Sequence, residues 1–245
     1  MRISVEQTRE AIARGNGTGI HIAVLDSGVE IAHPDFEGRK LRCDRVFEDG
    51  HTISGTGEDL YGHGTAIAGI IWDLAPNAEI GSFRVLGPNL KSRTTLVSAA
   101  ATDAIERGFH ILNCSFACSI PGHVGIFKTW IDHAWKAGVH VVGASGSHLE
   151  PDWPAHFTSV LGVDVTRDNS PHPIHPLRDG LIEFAVPGSD CRVPWKDGGR
   201  RVMSGSSFAA AHLTGLLARL LSVHSHLDPQ EAKASLRELA VSAKK

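Results

Sequence analysis

The sequence predicts an α/β domain of three layers, with a mostly parallel central sheet and helices on both faces. Two patterns point to it. Short, nearly continuous apolar runs alternate with longer helical segments, which is the mark of βαβ units. The runs also lack the polar alternation of a strand with one wet face, so both faces of the sheet should be covered. No linker-like or low-complexity stretch divides the 245 residues. One domain over residues 1–245 is expected.

Each element has its own local warrant. Residues 4–14 (SVEQTREAIAR) read as a short helix that the Gly-rich GNGTG ends. IHIAVLDSG is the first strand, and GHGTAIAGIIWDLA is a helix opening at Gly62–His63. EIGSFRVL is a strand; TLVSAAATDAIERG is a helix that Gly108 stops. FHILNCSFA, VHVVGAS and SVLGVDV are further strands, and GIFKTWIDHAWKAG is a helix stopped by Gly138. Residues 166–204, rich in Pro, Asp and Gly, read as loops and short strands of the same domain. SSFAAAHLTGLLARLLSVH is a long helix of small residues. DPQEAKASLRELAVSA closes the chain as a helix with Asp228 as N-cap and Pro229 at its first position.

Composition narrows the function classes. The formal net charge is -3, with 42% hydrophobic and 21% charged residues. Nothing in that balance calls for a nucleic acid or an acidic membrane as partner. The four Cys (Cys43, Cys114, Cys118, Cys191) read as reduced, mostly buried thiols, and none of the 15 His stands at metal-site spacing. No metal is expected. Neither a charged-then-apolar leader at Met1 nor a long apolar span is evident, so no signal peptide or membrane helix is expected and a cytoplasmic location is favoured.

Three segments carry the chemistry. VLDSG ends the first strand with Asp26, YGHGT opens a helix with His63, and SGSSFAAAH opens another with Ser206 and Ser207. Each alone fits a turn or a helix cap. Together they supply a hydroxyl nucleophile, an imidazole to take its proton and a carboxylate to orient that imidazole, as acyl transfer requires. The order Asp, His, Ser and the flanking glycines resemble the subtilisin-like serine proteases. IAVLDSGVEIAHPDF, with His33, Pro34 and Asp35, GHGTAIAG, and GSSFA followed by His212 and Gly215 carry the resemblance over nearly the whole chain.

The resemblance implies a subtilisin-like fold and a serine endopeptidase acting on peptide or protein substrates. Ser207 would be the nucleophile, His63 the general base and then acid, and Asp26 the orienting carboxylate. The Ser207 backbone N–H would donate to the oxyanion. The family's groove-lining SLG strand is matched by Ser115, Phe116 and Ala117, and the small-residue wall of the first specificity pocket by Ala144, Ser145 and Gly146. Asp152, near the base of that pocket, is a candidate to select a basic side chain, against the plainer reading of a solvated loop acid.

The sequence also departs from the family pattern. Ser147 stands where an Asn commonly donates to the oxyanion; its hydroxyl can still donate, but is shorter and free to rotate. Loss of one such donor typically costs about 10²–10³ in turnover, so a slow or selective enzyme is expected. AGIIWDLAPNAEI leaves almost no room for the calcium loop of secreted members, so no cofactor is expected. Neither an inhibitory prosegment before the domain nor final strands after the last helix are expected. These features suggest an intracellular enzyme with a limited substrate set, such as one that processes a peptide precursor. A peptide acyl transferase or macrocyclase, and a non-catalytic peptide-binding relative, are the alternatives; the oligomeric state stays open.

Overall fold

The structure, a computed structural model, describes residues 2–242 except 49, 147–150, 167–173 and 178–179. Its centre is a nine-stranded sheet. In chain order the strands are β1 (His21–Asp26), β2 (Cys43–Glu48), β3 (His51–Ser54), β4 (Glu79–Arg84), β5 (Ile111–Cys114), β6 (His140–Ala144), β7 (Leu161–Val165), β8 (His175–Pro176) and β9 (Phe184–Val186). They lie in the order β3-β2-β4-β1-β5-β6-β7-β9-β8. Every neighbouring pair is parallel except the two at the edges, β2 with β3 and β8 with β9. A separate antiparallel hairpin joins β10 (Cys191–Trp195) to β11 (Gly199–Met203).

Six helices cover the sheet: α1 (Val5–Arg14), α2 (His63–Leu74), α3 (Thr94–Glu106), α4 (Val124–Lys136), α5 (Ser206–Val223) and α6 (Pro229–Ser242). α2 packs on α5, and α1 on α5 and α6, against one face; α3 and α4 pack together against the other. The two cores meet back to back through the strands. In β1, Ile22 and Val24 enter one core while Ala23 and Leu25 enter the other. That is why its apolar run is unbroken. α5 is long and apolar enough to cross a membrane by length and composition, but 67% of it is buried inside the fold as the central core helix.

Capping accounts for the ends of the outer helices. Ser4 Oγ accepts from Gln7 N at 3.2 Å and Gln7 Oε1 accepts from Ser4 N at 2.8 Å, a capping box that starts α1. Asp228 and Glu231 make the same reciprocal pair at the start of α6. The structure adds β2 and β3, which the sequence pattern does not suggest. β2 has only two buried residues and β3 has none, so neither carries a core signature. Among the cysteines only Cys114 is fully buried; the other three are half-buried, and all four are free thiols.

His140 opens β6 and is 3% exposed. Burial is the largest influence on its ring and, with His110 nearby, outweighs Asp228 and a hydrogen bond to the Leu227 backbone, lowering its pKa to about 4. The folded chain therefore holds this ring neutral where an unfolded chain would protonate it. Its contribution to stability is complete above about pH 6.5 and is lost as the pH falls from there towards 4. Each unit should cost up to about 1.4 kcal/mol for this one proton. Denaturant melts across that range should show a shallower pH slope for His140→Gln than for the wild type.

Candidate active site

The carboxyl ends of β1, β5 and β6 lie side by side, and the amino ends of α2 and α5 open at the same edge. Ligand sites of open α/β sheets lie in such crevices. Asp26, the last residue of β1, is fully buried. Its carboxylate accepts from His63 Nδ1 at 2.8 and 2.9 Å, and Oδ1 also accepts from Ser27 N at 2.7 Å. A neutral imidazole that donates through Nδ1 keeps the Nε2 lone pair for a substrate or nucleophile proton. His63 is 7% exposed, with the Phe208 ring 5.7 Å from its own. Burial opposes the imidazolium. The charge of Asp26, its hydrogen bond and the charge of Asp59 more than offset burial, and the pKa of His63 is raised above 6.5.

Asp59 belongs to none of the three sequence motifs, yet it organises this corner. Oδ1 accepts from Ser27 Oγ, Tyr61 N and Gly62 N at 2.7, 2.9 and 2.8 Å. Oδ2 accepts from Thr65 N at 2.8 Å and Thr65 Oγ1 at 2.7 Å. One carboxylate thus collects the two N–H groups that lead into α2 and that of Thr65 in its first turn, where N–H groups lack intrahelical partners and negative charge is favoured. Ser27 Oγ in turn accepts from Gly64 N at 3.1 Å. The glycines beside His63 answer to space. A Cβ on Gly64 would fall 2.0 Å from the Gly28 carbonyl oxygen, and one on Gly62, whose φ is +108°, would meet the Trp195 indole at 2.6 Å. The signal for Asp59 in the sequence is an acid four residues before a Gly-flanked His, which a solvated loop also produces.

Ser207 lies in the first turn of α5. Its Oγ donates to the Ser115 carbonyl at 3.1 Å, while Ser115 Oγ donates to the Ser207 carbonyl at 3.2 Å. Behind this reciprocal pair runs a buried chain: Thr214 Oγ1 donates to Asn113 Oδ1 and Asn113 Nδ2 to Ser115 Oγ, both at 2.9 Å. No hydrogen bond joins Ser207 Oγ to His63 among the described residues. In unliganded sites such bonds are often long and tighten only with substrate. Phe208, next in the chain, touches His63, so nucleophile and imidazole share one end of the crevice.

Past Ser115, Phe116 and Ala117 line a cavity of about 640 Å³ together with Leu86, Leu90, Ile126 and Phe127. The small-residue wall stands opposite: Ala144 and Ser145 are buried, and Ser206 Oγ donates to the Ser145 carbonyl at 2.5 Å. Asp152 is 1% exposed. Its Oδ2 accepts from Gly146 N at 2.7 Å and Oδ1 pairs with His156 Nδ1 at 3.1 Å. The candidate carboxylate for a basic substrate side chain is thus engaged in holding the wall, and the plainer reading of a solvated loop acid fails as well, because the side chain is buried. Ser147, the oxyanion candidate, lies outside the described residues.

The β10–β11 hairpin that leads into Ser207 is pressed onto α2. Pro194 sits 2.4 Å from where a Cβ of Gly69 would begin, and the Trp195 indole covers Gly62. Tyr61 meets Trp195 edge to face at 5.6 Å.

The chain resembles known proteins. A model described as the subtilase family, Peptidase_S8, matches residues 17–244. Thermitase from Thermoactinomyces vulgaris is 28% identical over 88% of this chain and 80% of its own length. A subtilisin from Bacillus sp. (strain TA39) is 24% identical over 90% of this chain and 61% of its own. A thermophilic serine proteinase from Bacillus sp. (strain AK1) is 28% identical over 84% and 53%. The chain thus spans little more than half of the latter two. Among solved structures, sphericase has a TM-score of 0.78 at 24% identity, covering 91% of this chain and 83% of its own. The S41 psychrophilic protease has the same TM-score at 22% identity, covering 95% and 88%. These two likenesses establish the fold.

Asp59→Asn keeps the shape but removes one negative charge and turns an acceptor into a donor facing donors. The His63 ring, followed by NMR, should titrate at lower pH in this variant than in the wild type. Denaturant melts should show a loss of about 1–3 kcal/mol as a donor in the first turn of α2 loses its acceptor.

Proposed function

This chain belongs to the subtilase family of serine proteases, and we propose that it is a serine endopeptidase that works through Ser207, His63 and Asp26. The observation that carries the reading is the buried Asp26–His63 pair, held at one crevice edge with the Ser207 hydroxyl. Rotation about the Ser207 side chain exchanges its hydrogen bond to Ser115 for one to His63 Nε2. His63 takes the proton as Oγ attacks the peptide carbonyl, and Asp26 stabilises the imidazolium that forms. The negative oxygen falls beside the first N–H groups of α5, among them that of Ser207; the family resemblance alone makes Ser147, outside the described residues, the candidate for a further donor. His63 then returns the proton to the leaving amine. Water repeats the sequence on the acyl-enzyme.

Substrates are peptides or proteins. A narrow substrate set, such as one peptide precursor, is the role we favour, because Ser147 brings a weaker donor than the Asn common at that position.

Two measurements test this. A fluorophosphonate probe should label the wild type and leave Ser207→Ala unlabelled; an unlabelled but folded wild type would point to a peptide-binding relative. Because His63 must be neutral to accept a proton and its pKa is raised above 6.5, kcat/KM for peptide hydrolysis should rise through a midpoint above pH 6.5. A midpoint below that value would mean that burial of His63 outweighs the pull of Asp26 and Asp59.

A further inference from the structure

Four observations bear on the space between the two groove walls. A Cβ built on Gly146 would lie 2.6 Å from the Ala117 Cβ. The Ala117 methyl therefore already touches the Gly146 backbone, and the walls meet at this pair. The same point is 2.9 Å from Asp152 Oδ2. That oxygen is fixed, because it accepts from Gly146 N at 2.7 Å and its carboxyl group is anchored to His156. One residue further along, Cys118 N donates to the Trp153 carbonyl at 2.9 Å and Trp153 N to the Cys118 carbonyl at 3.0 Å. This two-way backbone pair fastens the Ala117 wall to the segment that carries Asp152, which in turn holds Gly146. Finally, Ser145, in the middle of the facing wall, is buried, and its Oγ has no partner among the described residues.

We propose that the slot between Ser115–Ala117 and Ala144–Gly146 admits only a small side chain, that of Gly, Ala or Ser, at the substrate residue just before the scissile bond. The inference rests on the endopeptidase reading above. Ala117 is the specificity-determining residue: its one methyl occupies the room that small residues on the facing wall leave open. A branched or aromatic side chain would have to push apart segments joined by paired backbone hydrogen bonds and by a buried carboxylate.

The test is a matched peptide series differing only at that residue, digested by the wild type and read by mass spectrometry, with fluorophosphonate labelling of the same preparation. Ala, Gly and Ser peptides should exceed Leu and Phe peptides in kcat/KM by at least about tenfold. Ala117→Gly should shrink that ratio, and Ala117→Val should slow the Ala peptide itself. A labelled wild type that cuts Phe or Leu peptides as fast as Ala peptides overturns the slot. So does a labelled Ala117→Gly with an unchanged ratio. A folded wild type that neither labels nor cleaves overturns the endopeptidase reading, and the slot falls with it.

Discussion

The pairing of β1 with β5 sets the geometry of the crevice. Leu25 stands opposite Cys114 in the parallel ladder. The next residues outward are therefore Asp26 and Ser115, side by side on neighbouring strands. One meets the helix that carries the imidazole, and the other meets the helix that carries the hydroxyl. Because side chains alternate between faces, a slip of one residue would turn the Asp26 carboxylate into the wrong layer. The two back-to-back cores hold that register, since both faces of β1 are packed.

Electrostatics refine what the register sets. His63 is buried beside Asp26, and Asp59 adds a second carboxylate through the start of α2. Burial alone would leave the ring reluctant to take a proton. The two acids reverse that preference, and five hydrogen bonds hold Asp59 in place. The acid that shapes the helix start is thus also one that favours the charged ring.

The alternation of apolar runs and helices was legible in the sequence because β1, β5 and β6 are packed on both faces. β2 and β3 were not, because hardly any of their side chains is buried. Asp26, His63 and Ser207 stood out through their small neighbours; at Gly28 and Gly64 these mark places where backbone approaches backbone, and at Gly62 the room taken by the Trp195 indole. Asp59 did not, since its partners are mainly backbone N–H groups that no residue type announces. Ala117 and Gly146 are remote in the chain, and nothing local to either says that they touch. Asp152 looked like a loop acid because His156 and the Gly146 N–H, its partners, are recognisable only in three dimensions.

The hairpin pressed onto α2 has a mechanical consequence. Pro194 and Trp195 fit against Gly69 and Gly62, and the chain runs from this hairpin directly into α5. α2 and α5 are themselves packed together. Base and nucleophile therefore rest on helices packed against each other, whereas Ala117 and Gly146 belong to the loops that follow β5 and β6. Those loops are nonetheless tied to the nucleophile's helix, since Ser115 exchanges hydrogen bonds with Ser207 and Ser206 Oγ donates to the Ser145 carbonyl. A side chain that forced the slot open would therefore pull on the first turn of α5, so the fit of the substrate is felt where the hydroxyl is held.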